Sequence, residues 1–293
     1  MNRSRSVATL VALLALVAPA NALATQEGPS HGSLVIVGGA MRDPAILERF
    51  LELAGGPDAP IVIIPTAGGA PSYNETWAGL RQFRDAGATD LILLHTYDRE
   101  EADSEEFATA LRRARGVWFA GGRQWRLADA YLGTRTESEL WGVLERGGVI
   151  GGSSAGATIQ GEYLARGDTA GNRTMMGDHE EGFGFLKGVA IDQHVLKRNR
   201  QFDLLEIIAA RPDLLGIGID ENTAIVVRGN RFEVIGQSYV VIHDAQRQID
   251  SGGSFYFLAA GDRYDLSTRE PTRPQMSLQP LERVVKKDPG QLP

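Results

Sequence analysis

The sequence predicts an α/β protein with a mostly parallel sheet flanked by helices and an antiparallel C-terminal extension. Three observations carry that expectation. From Ser33 to Gly151, short apolar runs alternate with longer amphipathic segments, as parallel strands joined by crossover helices require. These runs hold too few polar residues to leave one face in water, so helices should cover both sides. After about Ile217 the runs become short and closely spaced, which is the pattern of hairpins.

Taken in order, Leu34-Val35-Ile36-Val37 is the first strand, stopped by Gly38-Gly39, and Pro44 to Leu53 has apolar residues at helical spacing. Ile61 to Ile64 is the second strand, ended by Pro65 and a glycine-rich loop, with a helical pattern from Asn74 to Ala86. Leu91 to Leu94 precedes a charged helix from Ser104 to Arg115, and Val117 to Ala120 follows it. Gly148 to Gly151 is the fifth run, and Ala157 to Leu164 reads as the next helix. The later runs are Ala224 to Val227, Arg231 to Ile235, Tyr239 to His243 and Ser254 to Leu258, with a turn at Gly229-Asn230. No linker separates the halves, so 33–270 reads as one domain and 271–293, rich in proline, as a poorly ordered tail.

The composition, 43% hydrophobic and 23% charged over 293 residues, is that of a globular protein. A formal net charge of -7 argues against a general nucleic-acid binder, which needs a basic surface. Residues 1–24 read as a secretory signal: Arg3 and Arg5, an apolar stretch from Val7 to Val17, then the small-x-small site Ala22-Leu23-Ala24. No later segment reaches the roughly 20 apolar residues of a membrane helix. The expected product is therefore exported, to periplasm or medium. With no cysteine in the chain, a nucleophile must be something other than a thiol.

The turn Gly152-Ser153-Ser154-Ala155-Gly156 lies between a buried strand and a helical start, where a serine hydroxyl is held exposed on a sharp bend. The same glycines also suit a phosphate-cradling or purely structural turn. A nucleophilic serine needs a base, and of five histidines His194, in Ile191-Asp192-Gln193-His194, is the best candidate, because it sits among polar side chains near the next basic cluster and not on an apolar face. Backbone amides for an oxyanion are offered by Ala155 and by Gly121-Gly122, Gly122 being the closer candidate for the second donor. Cysteine-histidine clusters and a His-Glu-x-x-His run are absent, so no metal or cofactor is expected.

Together, Gly121-Gly122-Arg123-Gln124, the Ser154 turn, Gly182-Phe183-Gly184-Phe185-Leu186, Asp192-Gln193-His194 and Gly216-Ile217-Gly218-Ile219-Asp220-Glu221-Asn222 resemble the cyanophycinase and aspartyl dipeptidase group of serine peptidases. The resemblance runs from Ser33 to about Leu266 and is nearer the cyanophycinase branch. It implies a class I glutamine-amidotransferase-like fold and a homodimer. It also implies Ser154 as nucleophile, His194 as base, and an acidic residue that orients the histidine. Asp168 matches that third place best, with Glu221 second.

The implied substrate, cyanophycin, is a polyaspartate backbone with arginine joined through each side-chain carboxyl. For it the resemblance implies Arg198 and Arg200 against carboxylates, Asp192 against guanidinium, and Gln124 and Gln193 on the amide. Three positions depart from the family pattern. Arg123 replaces an acidic residue, Asp203 stands where an arginine is common, and Val195 replaces an aromatic. A related exopeptidase for short aspartyl or isoaspartyl peptides, and a non-catalytic binding protein on the same scaffold, are the alternative readings.

Overall fold

The computed structural model describes residues 26–247 and 253–273. The expected signal segment and 274–293 of the expected tail lie outside them. In chain order the first part contains β1 (Ser33–Val37), α1 (Pro44–Ala54), β2 (Ile61–Ile64), α2 (Arg81–Asp85), β3 (Leu91–Leu93), α3 (Arg99–Ala102), α4 (Glu105–Arg113), β4 (Gly116–Phe119), α5 (Trp125–Tyr131), α6 (Arg135–Glu145) and β5 (Val149–Ser153). Then come α7 (Ala155–Thr158), β6 (Gly161–Tyr163), β7 (Leu186–Gln193), α8 (Leu204–Ala210), β8 (Leu215–Ile219), β9 (Thr223–Arg228), β10 (Arg231–Gly236), β11 (Tyr239–Asp244), β12 (Tyr256–Ala259), β13 (Arg263–Asp265) and β14 (Glu270–Thr272).

Local chemistry sets several helix ends. Asp43 caps α1 by accepting from the Ala45 N–H at 3.0 Å, with Pro44 just inside the helix. Ser104 caps α4, whose first turn carries Glu105 and Glu106 and whose last turn carries Arg112 and Arg113, each sign opposing the helix dipole.

The first sheet has the order β3-β2-β4-β5-β1-β9-β10-β13-β14. Its pairs are parallel from β3 to β1 and antiparallel from β9 to β14. Strands β1, β2 and β4 are buried at every position, because both faces are covered. On one face Trp118 meets Phe50 and Phe83 edge-on, at ring centroid distances of 5.0 and 5.5 Å. On the other, Phe119 packs with Phe183 and with the apolar side of α5 and α6.

A second sheet, β6-β7-β8-β11-β12, was not expected as a separate layer. The antiparallel strands are divided between the two sheets instead of forming one extension. Three local expectations also change. The helix read from Ala157 to Leu164 ends at Thr158, and Gly161–Tyr163 pairs with β7 as a strand, so long-range pairing overrides a weak helical pattern. The helix read from Asn74 shrinks to α2 after a short 3-10 turn, since the Asn74 side chain takes the Thr76 N–H and closes a local turn. Strand β14 continues the first sheet to Thr272, beyond the expected domain end at 270. No helix among the described residues is long and apolar enough to cross a membrane.

Candidate active site

The site is assembled around the turn that leaves β1. Three successive carbonyls there are each taken by a different loop: Val37 O accepts the Ser154 N–H at 3.0 Å, Gly38 O the His194 N–H at 2.9 Å, and Gly39 O the Asn222 N–H at 2.8 Å. Ser154 follows β5, the parallel neighbour of β1; Asn222 precedes β9, its antiparallel neighbour; His194 follows β7 of the second sheet. One turn therefore sets the spacing of three chain segments.

Ser154 has φ 58° and ψ -114°, a left-handed conformation rare for a residue with a side chain. The motif glycines make that bend possible. A Cβ on Gly152 would lie 2.2 Å from Gly156 O, and one on Gly156 2.1 Å from Phe119 O. The hydroxyl reaches His194, with Oγ 3.0 Å from Nε2. On the far side of the ring, Nδ1 is 2.8 Å from Glu221 Oε1. An Nδ1–H donated to the carboxylate leaves Nε2 free to accept the serine proton. Gly39 lies against the ring: a Cβ there would stand 2.1 to 2.7 Å from its atoms, so a larger residue would push the imidazole away.

Burial holds the His194 pKa below its ordinary value; Glu221 acts in the opposite direction, and the cations of Arg198 and Arg200 add to the lowering. The ring is therefore a neutral base near pH 7. Asp220 steadies the segment after it, taking the Leu196 and Lys197 N–H groups at 3.0 and 2.9 Å and the Ser238 hydroxyl at 2.7 Å. Neither Ala155 N–H nor Gly122 N–H has a hydrogen-bond acceptor among the described residues, whereas the next amide, Arg123 N–H, is taken by Ala67 O at 2.9 Å.

Several expected site residues stand elsewhere. Asp168 does not meet His194; its Oδ1 accepts the Ala170 and Gly171 N–H groups, both at 2.9 Å, in a local turn. Glu221 occupies the place expected of Asp168. Gln124 is fully buried and donates to Ala165 O and Arg166 O at 2.7 and 2.9 Å, so its amide fastens the chain after β6 and does not face a ligand. Asp192 is also fully buried and is gripped by Arg166, Nε to Oδ1 at 2.7 Å and Nη2 to Oδ2 at 2.9 Å. A carboxylate closed by an internal guanidinium is not open to one from a substrate.

Gln193 is buried, and its Oε1 accepts from Arg200 at 3.4 Å. Arg198 is exposed and makes no ion pair among the described residues, and its charge acts on the ring. The three departures from the family pattern have structural places as well. Arg123 donates to Asp168 O, Asp203 completes the grip on Arg166, and Val195 is buried.

Arg166, Asp220 and Gly39 are the residues that sequence reasoning missed. For Arg166, lying between Ala165 and Gly167, no local signal exists. For Gly39, two glycines ending the first strand were the available clue.

Comparison with known proteins shows the family to which the chain belongs. The chain is 32% identical over 264 residues to the cyanophycinase of Geminocystis herdmanii, covering 82% of this chain and 96% of that one. It is 34% identical over 277 residues to the cyanophycinase of Synechococcus elongatus, covering 84% and 83%. Among solved structures, a peptidase from an acI-B1 Actinobacterium is similar with a TM-score of 0.64 at 28% identity, covering 82% of this chain and 98% of that one. A putative peptidase E of Listeria monocytogenes, at 19% identity and a TM-score of 0.51 over 71% of this chain and 99% of that one, shares the fold. The model of peptidase family S51 matches residues 34–235, and the chain belongs to that family.

Proposed function

We propose that this chain is an exported serine peptidase that hydrolyses cyanophycin to β-aspartyl-arginine dipeptides, on a class I glutamine-amidotransferase-like fold. The observation that carries the reading is the relay from Ser154 through His194 to Glu221 on a strained turn. In the first half-reaction His194 Nε2 takes the Ser154 proton as Oγ attacks the scissile carbonyl. The Ala155 and Gly122 N–H groups stabilise the oxyanion. Collapse expels the amine, which receives the proton from His194, and leaves an ester on Ser154. Water, deprotonated by the same ring, then releases the acid. Glu221 holds the tautomer and steadies the imidazolium in both halves. Arg198 and Arg200 attract the carboxylates of the substrate.

A related exopeptidase for short aspartyl peptides is the second reading. It is favoured by one observation, the closure of Asp192 by Arg166, which removes an expected guanidinium partner. Product analysis separates the two. Incubation with the insoluble polymer should release β-aspartyl-arginine, and Ser154→Ala should abolish that release. Cleavage of aspartyl dipeptides alone, with the polymer untouched, would replace the first reading by the second.

A further inference from the structure

Of the four large apolar side chains that stand exposed among the described residues, three belong to one patch: Phe202 at 58%, Tyr239 at 47% and Phe257 at 41%. Phe255, half-buried, joins them into a continuous row. Ring centroids run Phe202 to Phe255 at 5.4 Å, Phe255 to Phe257 at 5.5 Å, and Phe257 to Tyr239 at 5.8 Å, each pair edge-on. Packing of that kind fixes the rings while leaving faces open to solvent. A folded protein rarely spends its exposed apolar surface on one contiguous row without a ligand for it.

Both ends of the row are tied to the catalytic segments. Phe202 lies between Arg200, which donates to Gln193, and Asp203, which holds Arg166. Tyr239 O accepts the N–H of Asp220, the residue before Glu221, and the Asp220 side chain fixes the segment after His194. Beneath the row, the His243 ring centroid lies 5.2 Å from that of Phe255; its imidazole is 1% exposed, and burial pushes its pKa down to about 4, so this ring carries no positive charge against Phe255 at neutral pH.

We infer that this aromatic row is an extended substrate-binding platform on which guanidinium groups stack while the chain's scissile bond lies at Ser154. Planar guanidinium is the cation best suited to aromatic faces, and it is weakly hydrated. The inference rests on the reading that the substrate carries arginine side chains. Each such side chain also bears a free carboxylate, and Lys197 and Arg198, exposed and within five residues of Phe202 in sequence, supply cations to receive it. The platform supplies the guanidinium partner that Asp192 cannot.

The test combines Phe202→Ala, Tyr239→Ala and Phe257→Ala in the Ser154→Ala background and measures co-sedimentation with cyanophycin granules. Binding should weaken about tenfold or more, and Phe202→Trp alone should retain it. In an otherwise wild-type chain the same three changes should raise KM for the long polymer by a larger factor than KM for a single β-aspartyl-arginine unit pair.

Equal sedimentation with and without the row overturns the platform, as does a change of oligomeric state in velocity sedimentation, which would make the row an interface between copies. If the unmodified enzyme leaves the polymer intact, yet Ser154→Ala binds granules through the row, the hydrolytic reading fails and the platform stands. If neither hydrolysis nor row-dependent binding is seen, both fail.

Discussion

At His194 Nδ1, a carboxylate must choose the tautomer and compensate the charge that forms when the ring takes a proton. Glu221 is placed for both tasks at 2.8 Å, and Asp168 for neither. Glu221→Gln should therefore lower kcat by about 10³-fold or more while KM stays close to its starting value. Asp168→Asn should retain most of the activity, having lost only a local turn. Equal losses in the two variants would contradict the assignment. Ser154 and His194 were legible as single residues, because a glycine-flanked serine after a buried strand and a histidine in a polar run have local signatures. The acidic partner was narrowed only by resemblance, to Asp168 first and Glu221 second, and the structure favours the second. Glu221 reaches the ring because β8 pairs with β7, with Gln193 opposite Ile219, so the residues leaving both strands emerge side by side. That adjacency belongs to strand order and has no local trace in the chain.

The end of β1 shows how an element controls the site without supplying a reacting group. Its carbonyls fix the segments bearing Ser154, His194 and Glu221, and Gly39 leaves room for the imidazole. Gly39→Ala should displace the ring and cut kcat/KM by about 10²-fold, since an ångström of misplacement costs that much. Circular dichroism should still report the native fold. Retained activity would show that the ring tolerates the intrusion. Most elements of the first sheet could be read from sequence, because strands buried on both faces leave unbroken apolar runs. The region from Ala157 to Gln193 could not. There β6 is three residues long, and β7 carries Lys187, Gly188, Asp192 and Gln193 within its eight, so neither shows a clean period. Asp192 reads as a binding carboxylate for the same reason: the arginine that neutralises it is 26 residues away in sequence.

Across the whole molecule, the second sheet brings β7 and β8 beside the first and buries His243 on β11 without a partner for Nδ1. Its imidazole titrates near 6.5 in an unfolded chain and near 4 in the folded one. Between those values the unfolded state holds more protons, so this contribution to stability is complete above pH 6.5 and is lost as pH falls toward 4. The loss is on the order of 3 kcal/mol. His243→Leu should flatten the acid side of the stability profile measured by urea unfolding from pH 7 to pH 4. An unchanged slope would show that other groups govern acid unfolding. The α/β class was legible at this scale because alternation of runs and helices is a global pattern. The division into two sheets was not, since hairpins look alike whichever sheet receives them.

The proposed mechanism requires that His194 activate Ser154 as the nucleophile. Exposure to a fluorophosphonate, followed by intact-protein mass measurement and peptide mapping, tests it most directly. A single adduct on Ser154, absent from His194→Ala, is the predicted result. An unlabelled protein, or an adduct on another serine, would show that Ser154 is not the nucleophile.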